Sequence, residues 1–292
     1  LDIQKKNYII EITMNPQHWD SLNNECIDFV DYHLHIKDGL PVKILHHSYW
    51  EKLKDIRKRS FDSIFIPKKQ KTRIIEELDD FTNEEMYQKR ERLSIPHKKI
   101  FLLYGPPGTG KTSIAKAIAT YLKWGILQIP IDGKLDSTNL IIGINRLPEK
   151  YIVLFEDIDS YFLERSIDGK HNICFSDILN ILDGVNSPKN FIVVLTTNHI
   201  EKLDEALTRP GRIDCMTNIT FIKKKESKEM FNAFFPKHSD KFETFWKAIK
   251  NKHILTGCKL HSYFSYCYKK ANFMKEIDHL NRDDKTSLSM YV

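Results

Sequence analysis

Three of the chain's 11 glycines, Gly105, Gly108 and Gly110, fall within six residues, and that cluster constrains the fold more than any other feature. Upstream of it runs Ile100-Phe101-Leu102-Leu103-Tyr104, an apolar stretch of strand length. Downstream, Ile114, Ile118 and Leu122 recur at helical spacing. The order is therefore strand, loop, helix. Between them, Gly105-Pro106-Pro107-Gly108-Thr109-Gly110-Lys111-Thr112, followed by Ser113, carries the pattern G-x-x-x-x-G-K-[ST]. In that context the pattern is a phosphate-binding loop: glycines let backbone N–H groups converge on phosphate, and the helix N-terminus adds its positive dipole end. Lys111 is expected to reach the β- and γ-phosphates of ATP, and Thr112 to offer its hydroxyl to Mg²⁺.

Two later apolar runs end in polar residues of the kind such a loop needs nearby. Tyr151-Ile152-Val153-Leu154-Phe155 reads as a strand buried on both faces of a parallel sheet, and it ends in Glu156-Asp157-Ile158-Asp159. Phosphoryl transfer uses one carboxylate near Mg²⁺ and another near the attacking water, so Glu156 and Asp157 are candidates for both roles. Phe191-Ile192-Val193-Val194-Leu195 ends in Thr196-Thr197-Asn198-His199, which puts Asn198 at the mouth of a third strand, able to bond the γ-phosphate or its water. Beyond it, Arg209 and Arg212 flank a Pro-Gly turn. Taken alone they are either surface anchors or arginine fingers for the transferring phosphoryl group.

Together, Gly105 to Thr112, Leu154 to Asp159, Leu195 to Asn198 and the stretch Leu203 to Asp214 resemble the classical AAA ATPases over about residues 60 to 290. Within that group the chain is most similar to the mitochondrial inner-membrane AAA ATPases that export the folded Rieske iron–sulfur protein for assembly of respiratory complex III. The order Glu156-Asp157, where most of the superfamily has Asp-Glu, points to that branch, as do Asn180 to Val185, His199, Met230 to Pro236 and Ser262-Tyr263-Phe264. The resemblance implies a P-loop α/β domain with a helical lid, assembled into a homo-oligomeric ring, a hexamer or heptamer, that acts on a folded protein client. It implies that Glu156 binds Mg²⁺, that Asp157 polarises the water, that Asn198 is the sensor, and that Arg209 and Arg212 reach the neighbouring subunit's site. Ser63-Ile64 would pass beside the adenine. Two departures stand out. Gly133 to Pro148 lacks an aromatic-hydrophobic-Gly pore motif, which argues against threading an unfolded chain, and near Gly257 only Lys259 and His261 stand where a sensor arginine would be.

Length and composition agree with this reading. The 292 residues suggest two domains at about 150 residues each. The longest apolar runs fall far short of the roughly 18 residues of a membrane span. The expected units are a partial β-rich accessory domain over 1–57, the α/β domain over 58–221 and a helical lid over 222–292, whose phenylalanines read as core. In the first unit, Tyr8 to Ile12, Tyr32 to Ile36 and Val42 to Leu45 look like strands and Trp19 to Phe29 a short helix. The chain opens on Leu1 rather than methionine, so any signal or anchor upstream lies outside this sequence, and a membrane association would run through such an absent segment. Five scattered cysteines without a C-x-x-C pair point to a reducing compartment. The resemblance implies the mitochondrial inner membrane with the ATPase on the matrix side, with the cytoplasm as the alternative. Nine basic residues between Lys52 and Arg73 face only Asp55 and Asp62, and read as a solvated surface. Nucleic acid is the disfavoured partner: an ATPase acting on nucleic acid through that face is one rival reading, and a nucleotide-gated scaffold with little hydrolysis the other.

Overall fold

The computed structural model describes residues 39–53, 55–130, 135–160, 190–209, 211–249 and 255–270. Its strands are β1 (Val42–His46), β2 (Tyr49–Lys52), β3 (Lys98–Tyr104), β4 (Gly125–Ile129), β5 (Tyr151–Phe155), β6 (Phe191–Thr197) and β7 (Cys215–Asn218). They form one sheet in the order β2-β1-β4-β5-β6-β3-β7, parallel throughout except where β2 turns back on β1. Every residue of β5 and β6 is buried. A strand covered on both faces has no reason to alternate, which is why these segments run apolar without interruption.

Parallel neighbours cannot be joined by a tight turn, so helices carry the chain back across the sheet. Helix α3 (Lys111–Leu122) joins β3 to β4, and α4 (Ser137–Asn145) lies between β4 and β5; α1 (Lys68–Thr82) and α2 (Glu84–Arg92) precede β3. The pleat sends Ile100 and Leu102 to one side, where they meet Leu140 and Ile144 of α4. Phe101 and Leu103 go to the other, against Ile114 and Ile118 of α3 and Ile74 and Leu78 of α1. The result is the P-loop α/β architecture expected from the strand–loop–helix order.

The sequence places the segment holding β1 and β2 in a β-rich unit over residues 1–57. It is hydrogen-bonded into the main sheet, with the parallel register Val42↔Ile126 to Ile44↔Gln128. Leu45 is buried in the main core and the Trp50 indole donates to the Gly143 carbonyl of α4 at 3.0 Å, so packing holds the hairpin there as well as the ladder. The other strands and the short helix read over residues 8–36, and the run Asn180 to Val185, lie outside the described residues.

The lid consists of α5 (Lys224–Phe234), α6 (Phe242–Ile249) and α7 (Gly257–Lys270). Its phenylalanines are core, as expected: Phe231, Phe242, Phe245 and Phe264 are fully buried. The Phe231 ring lies 5.4 Å from Phe245 and 5.6 Å from both Phe242 and Phe264. Among the described residues no helix is long and apolar enough to cross a membrane. Phe231→Ala is expected to destabilise the protein by about 3–5 kcal/mol, since the remaining rings cannot close the void. Denaturant unfolding followed by lid fluorescence checks it, and a loss under about 1 kcal/mol would show that the lid does not rest on this ring.

Candidate active site

Strand β3 lies between β6 and β7, yet the chain leaving β3 crosses to β4 on one side while the chain leaving β6 crosses to β7 on the other. The crossovers diverge, and a crevice opens at the carboxyl ends of β3 and β6, the place where open α/β sheets bind ligands. The register Tyr104↔Thr197 sets the glycine loop and Asn198 side by side there. Gly105 has φ 137°, and a β-carbon on it would stand 2.1 Å from the Ile219 carbonyl oxygen, so the backbone approach admits no side chain. The N–H groups of Gly108 to Ser113 have no acceptor among the described residues, and α3 begins within that stretch. They form a concave array of donors suited to phosphate oxygens.

Lys111 points back over the loop. Its Nζ donates to the carbonyls of Gly105 (2.7 Å) and Pro106 (3.0 Å) and to Asn198 Oδ1 (2.7 Å). Burial pushes its pKa down from the usual lysine range, while the charges of Asp157 and Asp159 hold it up. The Asn198 amide has its other end on Asp157, with Nδ2 donating to Oδ1 at 2.9 Å. A cation on the oxygen and a carboxylate on the nitrogen leave the amide one sensible orientation.

The two adjacent carboxylates diverge. Glu156 accepts from the Thr112 hydroxyl at 2.6 Å and from Gln128 Nε2 at 3.1 Å. Asp157 has φ 48°, in the left-handed region that aspartate tolerates better than bulky residues. Its N–H donates to Thr196 Oγ1 at 3.0 Å, and the residue lines the cleft beside Asn198. Behind both, Asp159 is 5% exposed and accepts from the Thr197 hydroxyl (2.7 Å) and the Asn198 N–H (3.1 Å). Asp159 therefore fixes the backbone that carries Asn198.

The cleft encloses about 470 Å³. Gly108 to Ser113 form one wall and Ser63 and Ile64 another, so the segment expected to flank the base lies in the same cavity as the phosphate loop. The lid supplies Cys258 and His261, and the Cys258 N–H donates to the Gly108 carbonyl at 3.0 Å. Burial, and then the charge of Arg59, lowers the His261 pKa. Arg209 is exposed, Arg212 is half-buried with its N–H on the Arg209 carbonyl at 3.2 Å, and neither lines the cleft of its own subunit.

Gln128, Asp159 and Arg59 were not picked out as site residues from the sequence. Gln128 had a visible signal, as the one polar side chain in the apolar β4. Asp159 has no distinguishing feature in the acidic run, and Arg59 is one of nine basic residues spread between Lys52 and Arg73.

The divergent crossovers, donor-lined glycine loop, helix-borne lysine and strand-end carboxylates define a P-loop nucleoside triphosphatase domain. Residues 101–221 match the family described as ATPase family associated with various cellular activities (AAA), and the chain is similar to proteins named as BCS1 chaperones. It is 39% identical to the probable mitochondrial chaperone bcs1 of Schizosaccharomyces pombe over 184 residues, 61% of this chain and 40% of that protein. It is 35% identical to the mitochondrial chaperone BCS1 of Homo sapiens over 190 residues, 62% and 45% of the two chains. With the probable mitochondrial chaperone BCS1-B of Dictyostelium discoideum it shares 32% identity over 241 residues, 71% and 52%. The chain thus spans about half the length of the curated relatives it matches.

Gly105→Ala tests the close approach on which the loop depends. The added methyl must displace either the loop or Ile219, at a cost of about 1–3 kcal/mol. A calorimetric melting temperature lowered by several degrees is expected, and an unchanged one would contradict the described packing.

Proposed function

We propose that this protein hydrolyses ATP with Mg²⁺ as a subunit of a homo-oligomeric ring, a hexamer or heptamer, and uses the cycle to remodel or translocate a folded protein client. The observation that carries the reading is the continuous contact chain Lys111–Asn198–Asp157 beside Thr112–Glu156, all at one crevice. Lys111 supplies the fixed charge for the β- and γ-phosphates, and the N–H groups of Gly108 to Ser113 surround them. The Thr112 hydroxyl and the Glu156 carboxylate are hard oxygen ligands 2.6 Å apart, a pair that fits Mg²⁺ and leaves its remaining positions to phosphate and water. An Mg²⁺ held there would supply charge neutralisation on the β- and γ-oxygens. Gln128 holds the second Glu156 oxygen and so keeps that carboxylate aimed at Thr112.

Asp157 takes the proton-accepting role toward the attacking water, and Asn198 holds it in place from the γ-phosphate side. Ser63 and Ile64 flank the base. Arg209 and Arg212, outside their own cleft, serve the neighbouring subunit. The names of the relatives, mitochondrial chaperones, support a chaperone-like task in mitochondria; the placement proposed there is the inner membrane with the ATPase on the matrix side. The free thiols of Cys215 and Cys258 fit a reducing compartment.

Asp157→Asn is expected to retain ATP binding and to lose turnover by about 10²-fold or more, the usual contribution of a positioned proton acceptor. Hydrolysis at the parent rate would pass that role to Glu156. Arg212→Ala is expected to bind ATP but to lose hydrolysis by about 10³-fold or more, and mixing it with Asp157→Asn subunits should restore part of the activity. Turnover per subunit that stays constant on dilution to monomers would rule out a fingered interface.

A further inference from the structure

Arg59 enters the nucleotide cleft from the basic segment ahead of the α/β domain. Two bonds fix it there. Its backbone N–H donates to Thr120 Oγ1 at 3.0 Å, tying it to the helix that begins at Lys111, and its Nη2 donates to the Ser63 carbonyl at 3.2 Å. Beside that bonded Nη2, the guanidinium Nε is buried with no hydrogen-bond partner among the described residues. No ion pair joins Arg59 to any described carboxylate, and Asp62 on the same segment accepts from the Ser60 hydroxyl instead. A half-buried guanidinium keeps its charge and ordinarily meets a counter-ion. The open space beside it is the cleft and a smaller cavity shared with Asp62, Phe234 and His261.

We propose that Arg59 is the counter-ion for the nucleotide phosphate nearest the ribose. The assignment rests on the ATPase reading and extends it. Lys111 and Asn198 mark the terminal-phosphate end, while Arg59 is anchored at Thr120, more than two turns further along α3, and shares its wall with Ser63, Ile64 and His261. A phosphate within its reach is therefore the one at the opposite end of the triphosphate. Its charge also reaches the lid, where it helps keep His261 neutral. Arg59 thus leaves one strong cation facing that end of the ligand.

The test is calorimetric titration of the full chain with ADP, followed by displacement of ADP by AMP and by adenosine, in the parent protein, Arg59→Gln and Arg59→Lys. Arg59→Gln is expected to weaken ADP and AMP about tenfold or more, as for a lost charge-assisted contact, and to leave displacement by adenosine unchanged. Arg59→Lys should recover part of the loss. Equal weakening of adenosine would show that Arg59 only shapes the base pocket through the Ser63 carbonyl, and unchanged ADP affinity in Arg59→Gln would show that it touches no phosphate. Either result overturns the assignment. A parent protein that binds no ADP would overturn the ATPase reading itself, which keeps the two failures apart.

Discussion

The ammonium of a lysine that is only 6% exposed must be met by acceptors, and Lys111 draws its three from two different strand ends. Two are carbonyls of the loop after β3, and the third is the amide oxygen of the residue after β6. That convergence exists only in the register Tyr104↔Thr197; a slip of one residue would turn every side chain of one strand to the other face. The buried cores on both sides of the sheet hold that register, so the apolar runs and the ammonium depend on one another. The β6 ladder, the position of Asn198 and the bend of the glycine loop all follow from satisfying one buried cation.

The same logic separates Glu156 from Asp157. Along a strand, neighbouring side chains already face opposite ways, and the left-handed turn at Asp157 rotates its carboxylate toward Asn198 while Glu156 stays with Thr112 and Gln128. The shorter aspartate stands where most of the superfamily has glutamate. Its backbone N–H is on the Thr196 hydroxyl of the adjacent strand, which draws the residue in against β6. The two carboxylates thus keep distinct partners despite being adjacent, and the unusual order of their lengths is matched by the local backbone.

Much of this was legible from local pattern. The phosphate loop, both doubly buried strands, their polar ends and the aromatic lid each depend on residues close together in the chain, and periodicity or spacing reports such features directly. Gln128 and Arg59 were harder because their meaning lies in what the fold brings to them: Glu156 28 positions away for one, and the wall of a cleft for the other. A segment with nine basic residues in 22 positions reads as solvated surface, yet Arg59 within it is half-buried. The β1–β2 hairpin was read correctly as strand at Val42 to Leu45 but not as part of the main sheet, because parallel pairing with β4 is a long-range choice that local sequence does not encode.

The central claim is that the buried ammonium of Lys111 serves a nucleoside triphosphate. Phosphate release from ATP by the full chain, with and without Mg²⁺, compared between the parent protein and Lys111→Ala, tests it directly. Mg²⁺-dependent release in the parent and none above background in Lys111→Ala is the expected result, since no other group replaces that charge. Release at the parent rate from a folded Lys111→Ala would contradict it.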